Sequence, residues 1–152
     1  VIPYATDELA LVLPSNHQLS NKKELLKEDL YKLNFVTLDS QSTTRKVVDK
    51  LLQDSGLDIQ RLKIEMELNS LEAIKNAVQS GLGASFLPVV SIERELEAGT
   101  IHKAFIADLE VKRELKLISN PSRYTSRASE VFKKNILPQF ASLKSPLRQT
   151  EM

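Results

Sequence analysis

No cysteine occurs among the 152 residues, so the chain has neither a disulfide framework nor a thiolate to offer a metal or a substrate. That absence fits a reducing compartment. A chain of this length buries roughly two-thirds of its unfolded surface and needs no covalent staple. No apolar run approaches the ~20 residues that cross a bilayer. The opening VIPYATDEL lacks the basic and apolar regions of a signal peptide. It also lacks an initiator methionine and runs almost at once into strand-like sequence, so we expect a piece of a longer protein. Charge of one sign is missing too: 21 basic residues face 20 acidic ones, and net charge gives nucleic-acid affinity no support. From Val111 onward nine basic residues outnumber three acidic ones, which reads as a solvated helix face and a basic tail.

Catalytic motifs are absent as well. The two histidines, His17 in PSNHQLS and His102 in GTIHKAF, lie far apart in sequence with no paired carboxylate at ligand spacing. No GxSxG, HExxH or P-loop pattern appears. GLG at 81–83 follows a helix and precedes a strand, the reverse of the order that cradles a pyrophosphate. Glu65 and Glu67 share a strand face that alternation already explains, and Asp7 and Glu8 begin a strand with no partner in view. We expect no catalytic residue, no metal and no cofactor.

What is present is an alternation of strands and helices. Glu8–Leu13 is a nearly continuous apolar run, the pattern of a buried strand. A small helical stripe (Leu25, Leu26, Leu30) occupies Lys22–Leu30, and NFVTL at Asn34–Leu38 is the next strand. A helix follows with Val47, Val48, Leu51 and Leu52 on one face. Leu62, Ile64, Met66 and Leu68 alternate with charged residues in a half-buried strand. Ser70–Ser80 is helical with Leu71, Ile74, Ala77 and Val78 inward. Ala84–Leu87 is a strand and Pro88–Ala98 a helix. Ile101–Ile106 and Val111–Ile118 are two more strands. Thr125–Phe140 is a helix with Ala128, Val131, Phe132, Ile136 and Phe140 inward. Three of the four glycines follow predicted helices, where the left-handed conformation is cheap only for glycine. The order through Gly99 predicts an α/β domain with a largely parallel sheet.

One stretch stands out: LDSQSTTRKVVDKLL, from Leu38 to Leu52, places Ser40, Gln41, Ser42, Thr43, Thr44 and Arg45 where a strand gives way to a helix. A helix N-terminus offers unpaired N–H groups and partial positive charge. Hydroxyls add donors, and arginine can clamp a carboxylate or phosphate. ELNSLEAI repeats the geometry with Asn69 and Ser70. Capping alone would need one hydroxyl per helix, from Asp39, Ser40 or Ser42 in the first and from an Asn69–Glu72 capping box in the second. The surplus points to an anion site.

ELALVLPSNHQLS, NFVTLDSQSTTRKVVDKLLQDSGLD, ELNSLEAIKNAVQSGLGASFLPVVSIERELEAGTI and KRELKLIS, in this order, resemble the second half of the effector-binding domain of LysR-type transcriptional regulators. The resemblance runs from about Thr6 to Phe140, and its most specific block is NSLEAIKNAVQSGLGASFLP. STTR after a strand is similar to the branch that controls carbon-fixation and inorganic-carbon-uptake genes in autotrophic bacteria and plastids. The resemblance implies a periplasmic-binding-protein-like fold in which two α/β subdomains enclose an effector cleft. Residues 6–119 would form effector-binding subdomain II. Residues 120–142 would be the returning C-terminal helix of a partly missing subdomain I, and 143–152 a disordered tail. DNA would be bound only through a missing winged helix-turn-helix.

The effector residues carried over are Ser40, Gln41, Ser42, Thr43, Thr44, Arg45, Asn69 and Ser70. Either Thr43 or Thr44 matches a threonine that contacts ligand anions in some relatives. Implied partners are a small anionic metabolite (2-phosphoglycolate, ribulose bisphosphate or 2-oxoglutarate) and further copies of the chain in a dimer or tetramer. The implied location is the cytoplasm or the plastid stroma, without membrane contact. Two rival readings share the scaffold: a solute-binding receptor of a transporter, and an enzyme.

Overall fold

A computed structural model describes residues 1–120 and 122–138. The chain divides into two compact units, Asp7–Arg113 and Val1–Thr6 with the residues from Glu114 onward. The strands are β1 (Ile2–Pro14), β2 (Asn34–Leu38), β3 (Lys63–Leu68), β4 (Ser85–Pro88), β5 (Ile101–Ala104) and β6 (Lys112–Leu117). The helices are α1 (Thr43–Asp54), α2 (Leu71–Gln79), α3 (Glu93–Glu97) and α4 (Arg127–Val131).

In the larger unit β1 lies between β4 and β5 and runs antiparallel to both, with Leu11 opposite Phe86 on one side and Ala104 on the other. β2 pairs in parallel with β3, from Asn34↔Lys63 to Leu38↔Leu68. A parallel bridge between Phe35 and Ala84 carries the ladder on to the start of β4. The strand order is thus β3-β2-β4-β1-β5, with four strands in one direction and β1 opposed to them.

The apolar run of β1 is continuous because both sheet faces are covered. Leu9, Leu11 and Leu13 enter one core cluster with Phe35, Phe86, Val48 and Leu52, on the side of α1. Ala10 and Val12 enter the other with Val36, Leu87, Ile74, Ala77 and Val78, on the side of α2. A run of this kind reports burial on two faces and says nothing of strand direction.

Several sequence expectations are corrected. No α-helix forms over Lys22–Leu30; short 3-10 turns occupy Gln18–Asn21 and Lys27–Lys32. The backbone of Leu25 is taken up by the sheet instead, with its N–H on the Phe105 carbonyl and its carbonyl on the Ala107 N–H, both at 2.8 Å. Leu26, assigned to the apolar stripe, is exposed. β3 is not half-buried: Lys63 through Glu67 are exposed, Ile64 and Met66 among them. It is the outer strand beside β2, and its alternating pattern has no covering layer. The helix expected over Pro88–Ala98 is a 3-10 turn, Val89–Ser91, followed by the short α3.

In the smaller unit, α4 is capped by Ser126, whose hydroxyl accepts from the Ser129 N–H at 3.2 Å, and leads into a π turn at Phe132–Ile136. Ala128, Val131 and Phe132, expected inward, are exposed. Periodicity marks an apolar face but not whether a partner surface is present. The Ile136 side chain, Phe140 and the expected tail 143–152 lie outside the described residues.

Two local constraints hold the larger unit in register. Gly83 is needed for close approach: a Cβ there would stand 2.6 Å from the Asn34 carbonyl oxygen, on the β2 backbone that accepts the Ala84 N–H at 2.7 Å. Asp29, buried within the second 3-10 turn, accepts from Lys32 Nζ at 2.7 Å, the Leu26 N–H at 3.0 Å and Lys22 Nζ at 3.2 Å. The Lys32 bond first, then the Leu26 N–H, hold its carboxyl down at about 2 against the opposing cost of burial.

Two outcomes follow for stability. Gly83→Ala should lower unfolding free energy by about 1–3 kcal/mol, seen as a lower urea midpoint at unchanged slope, because the obstructing atom is backbone. For Asp29 the folded-state pKa lies below the ordinary value. Its stabilisation is therefore complete above about pH 4 and is lost as pH falls toward 2. Asp29→Asn should cost about 2 kcal/mol at neutral pH, and urea titrations should show that gap closing between about pH 4 and pH 2.

Candidate functional site

Leu38 and Leu68 are partners at the ends of β2 and β3, and the Asp39 N–H continues the ladder to the Leu68 carbonyl at 3.1 Å. The two strands therefore release their chains at one level, side by side, each into a helix. After β2, Asp39 Oδ1 accepts from the Gln41 N–H at 2.9 Å and the Ser42 N–H donates to the Asp39 carbonyl at 3.0 Å. This tight turn delivers Ser42 as the cap of α1, its hydroxyl accepting from the Arg45 N–H at 3.5 Å. After β3, Ser70 caps α2 by accepting from the Ala73 N–H at 3.4 Å. The expected Asn69–Glu72 capping box does not form; Glu72 is drawn to Lys75 at 2.7 Å.

The pairing of β2 and β3 thus brings all eight sequence-selected residues to the adjoining loops and first helical turn at the carboxyl ends of two parallel strands, with two positive helix ends among them. Their side chains differ in what they have left to offer. Ser42 and Ser70 are capping, while Ser40, Gln41, Thr43 and Asn69 are exposed.

Arg45 is turned into the protein, with only 15% of its side chain exposed. Its Nε donates to both Asp49 carboxylate oxygens at 2.9 Å. Its Nη1 reaches Thr37 Oγ1 at 2.6 Å, the Leu38 carbonyl at 3.2 Å and Glu67 at 3.4 Å. Arg45 therefore staples α1 to β2 and β3. The cavity beneath it, lined by residues that include Phe35, Thr37, Val48 and Phe86, measures about 30 Å³. That is room for a water or two and not for a metabolite.

Thr44 meets a residue that the sequence reading passed over. Its Oγ1 accepts from Arg113 Nη1 at 2.8 Å. Arg113 in turn grips Asp7 Oδ2 through Nε at 2.9 Å and Nη2 at 2.7 Å. Asp7 and Glu8, read from sequence as unpartnered, thus have cations of their own, Arg113 and, at 2.8 Å, Lys103. A signal was there to find: β6 alternates, with Lys112, Glu114 and Lys116 exposed, and Arg113 falls in phase with the partly buried residues at 115 and 117. A charged residue on the inward phase of a strand needs a partner.

The histidines do other work. His17 Nδ1 accepts from the Leu19 N–H at 3.1 Å and caps a 3-10 turn, and His102 pairs with Leu13 inside the sheet. Among the described residues no group of His, Asp or Glu comes together that could hold a metal ion, and no helix is long and apolar enough to cross a membrane.

Residues 1–141 match the family described as the LysR substrate binding domain. The chain belongs to this family. Similar curated proteins include a probable RuBisCO transcriptional regulator of Synechocystis sp. (strain ATCC 27184 / PCC 6803 / Kazusa), 58% identical over 142 residues, 93% of this chain and 41% of that protein. The protein of that name from Porphyra purpurea is 56% identical over 142 residues, again 93% of this chain and 45% of that protein. The chain spans less than half the length of these curated relatives. Among solved structures, the Synechocystis PCC6803 CcmR regulatory domain in complex with 2-PG superposes with a TM-score of 0.78 at 22% identity, over 95% of this chain and 66% of that one. The effector binding domain of QuiR in complex with shikimate gives 0.77 at 22% identity, over 94% of this chain and 65% of that one. Similarity at that identity establishes the fold.

The relatives of this LysR domain are transcriptional regulators and not transporter receptors, and the likeness to carbon-fixation regulators read from STTR holds. In the LysR domain the Arg45 staple predicts a stability effect. Arg45→Met should lower the unfolding free energy by about 1–3 kcal/mol, since it strands Asp49 and Thr37. Arg45→Lys should recover only part of that in urea titrations, because an ammonium cannot reproduce the planar fork.

Proposed function

We propose that this chain is the effector-sensing part of a LysR-type regulator of carbon-fixation genes. It binds a small anionic metabolite at the loops that follow β2 and β3. The observation that carries the reading is the juxtaposition of the two helix N-termini, at Thr43 and Leu71, that follow the paired strand ends Leu38 and Leu68, with Ser40, Gln41, Thr43 and Asn69 exposed around them. Backbone N–H groups and helix dipoles at that point favour negative charge, and the uncapping hydroxyls and amides supply directed hydrogen bonds.

The family assignment and the RuBisCO-regulator relatives support a regulatory role over an enzymatic one. A structural neighbour bound to 2-PG supports a phosphorylated effector. We take 2-phosphoglycolate, ribulose bisphosphate and 2-oxoglutarate as the candidates. Residues 6–119 serve as the effector subdomain, and 120–142 as the helix returning to the other subdomain of the intact regulator. Binding favours whichever arrangement of the intact protein the ligand contacts best, by its differential affinity for the two. DNA is contacted by a winged helix-turn-helix elsewhere in the regulator. The whole works as a homo-oligomer in the cytoplasm or the plastid stroma.

The test is a thermal-shift and calorimetric screen of the intact regulator against the three candidates and their uncharged analogues. A true effector at about 100 times its dissociation constant stabilises the native state by ~2.7 kcal/mol. Ser40→Ala/Thr43→Ala, which removes exposed hydroxyls and no cap, should abolish most of that shift without lowering the unliganded melting temperature. Shifts of equal size from charged and uncharged analogues, or no shift across the panel, would overturn the reading.

A further inference from the structure

We infer that Arg113, moored by Asp7, belongs to this effector site: it orients the Thr44 hydroxyl and offers the site guanidinium N–H donors. The inference rests on the effector-site reading above and adds a residue from another strand to it.

The argument begins with donors and acceptors. A guanidinium has five N–H groups and accepts nothing. Asp7 takes two of those of Arg113 and Thr44 takes one, which leaves two N–H groups for something else. Because Arg113 can only donate, Thr44 Oγ1 is the acceptor in that contact, and its own hydrogen must go elsewhere. Thr44 Oγ1 makes no other hydrogen bond among the described residues. Thr44 is partly exposed in the first turn of α1. It therefore has an O–H to offer whatever docks there, and one lone pair besides, which suits an oxyanion.

Charge separates the two arginines near this turn. Arg45 lies against two carboxylates, Asp49 and Glu67, and the Leu38 carbonyl. An anion approaching it would meet more negative than positive charge. Arg113 faces the single carboxylate of Asp7, which is 9% exposed, while 23% of the Arg113 side chain remains open. Asp7 binds it through Nε and Nη2, which holds the planar fork in one orientation. The register between Thr43 and Thr44, open from sequence, acquires a physical division of labour: Thr43 is an exposed hydroxyl, and Thr44 is one whose direction an arginine sets.

The experiment titrates 2-phosphoglycolate into the intact regulator by calorimetry, with melting temperatures in parallel. Arg113→Gln and Thr44→Val should each raise the dissociation constant by about tenfold or more, the loss of one charge-assisted hydrogen bond. Thr44→Ser should restore binding to within about threefold, because it keeps the hydroxyl that a purely steric role would not require. Asp7→Asn/Arg113→Gln removes the stranded carboxylate; it should fold as well as wild type and bind as weakly as Arg113→Gln. Lys50→Gln, on the exposed face of α1, should change nothing. If wild type binds and Arg113→Gln binds within about twofold while melting earlier, the pair is structural and the inference falls, with the effector site intact. If wild type binds no anion, the effector-site reading itself fails and takes this inference with it.

Discussion

The parallel register of β2 and β3 is the constraint on which the rest of this structure depends. Leu38 and Leu68 end their strands as partners, so the two chains leave the sheet together and each must turn back over it as a helix. Two sets of unpaired N–H groups are thereby set beside one another at no further cost. The same pairing explains the placement of Arg45, which reaches from α1 across Thr37 and Leu38 of β2 to Glu67 of β3. It also explains Gly83. On its other side β2 must accept the chain leading into β4, and the Asn34 carbonyl approaches too closely for any side chain to intervene.

Arginine has two distinct uses within one turn of α1. Arg45 is surrounded by its own acceptors, two of them carboxylates, and its energy goes into holding helix to sheet. Arg113 comes from a strand remote in sequence, is oriented by one buried carboxylate, and spends a single bond on the helix. The difference follows from how many negative groups the fold packs round each one. A guanidinium that is neutralised twice over is a structural element, whereas one paired with a single buried carboxylate keeps exposed N–H donors for a newcomer.

Much of this was legible residue by residue. The runs NFVTL and ELALVL marked strands because both faces of the sheet are covered. Ile74, Ala77 and Val78 marked the buried side of α2, and the serine-rich turn marked a helix start. Gly56, Gly81 and Gly99 stand at positive φ after their helices, as their spacing implied. Illegible features share a cause: they depend on what lies opposite. Ile64 and Met66 alternate like core residues, yet β3 is the outer strand. Leu26 completes an apolar stripe, but the backbone beside it is needed by the sheet, and Asp29 holds the following turn. Asp7 looked unpartnered because its cation lies 106 residues away.

By itself the sequence determined many local choices: most of the strands, the two longer helices α1 and α2, their apolar faces, and which family the chain belongs to. Those depend on periodicity, φ preference and hydroxyl placement, all of which act over a few residues. Tertiary structure alone decided the direction of β1, the exposure of β3, the burial of Arg45 among its own acceptors and the meeting of Thr44 with Arg113 and Asp7. Each of these is a question of which distant group fills a given volume or satisfies a given donor, and only the packed sheet answers it.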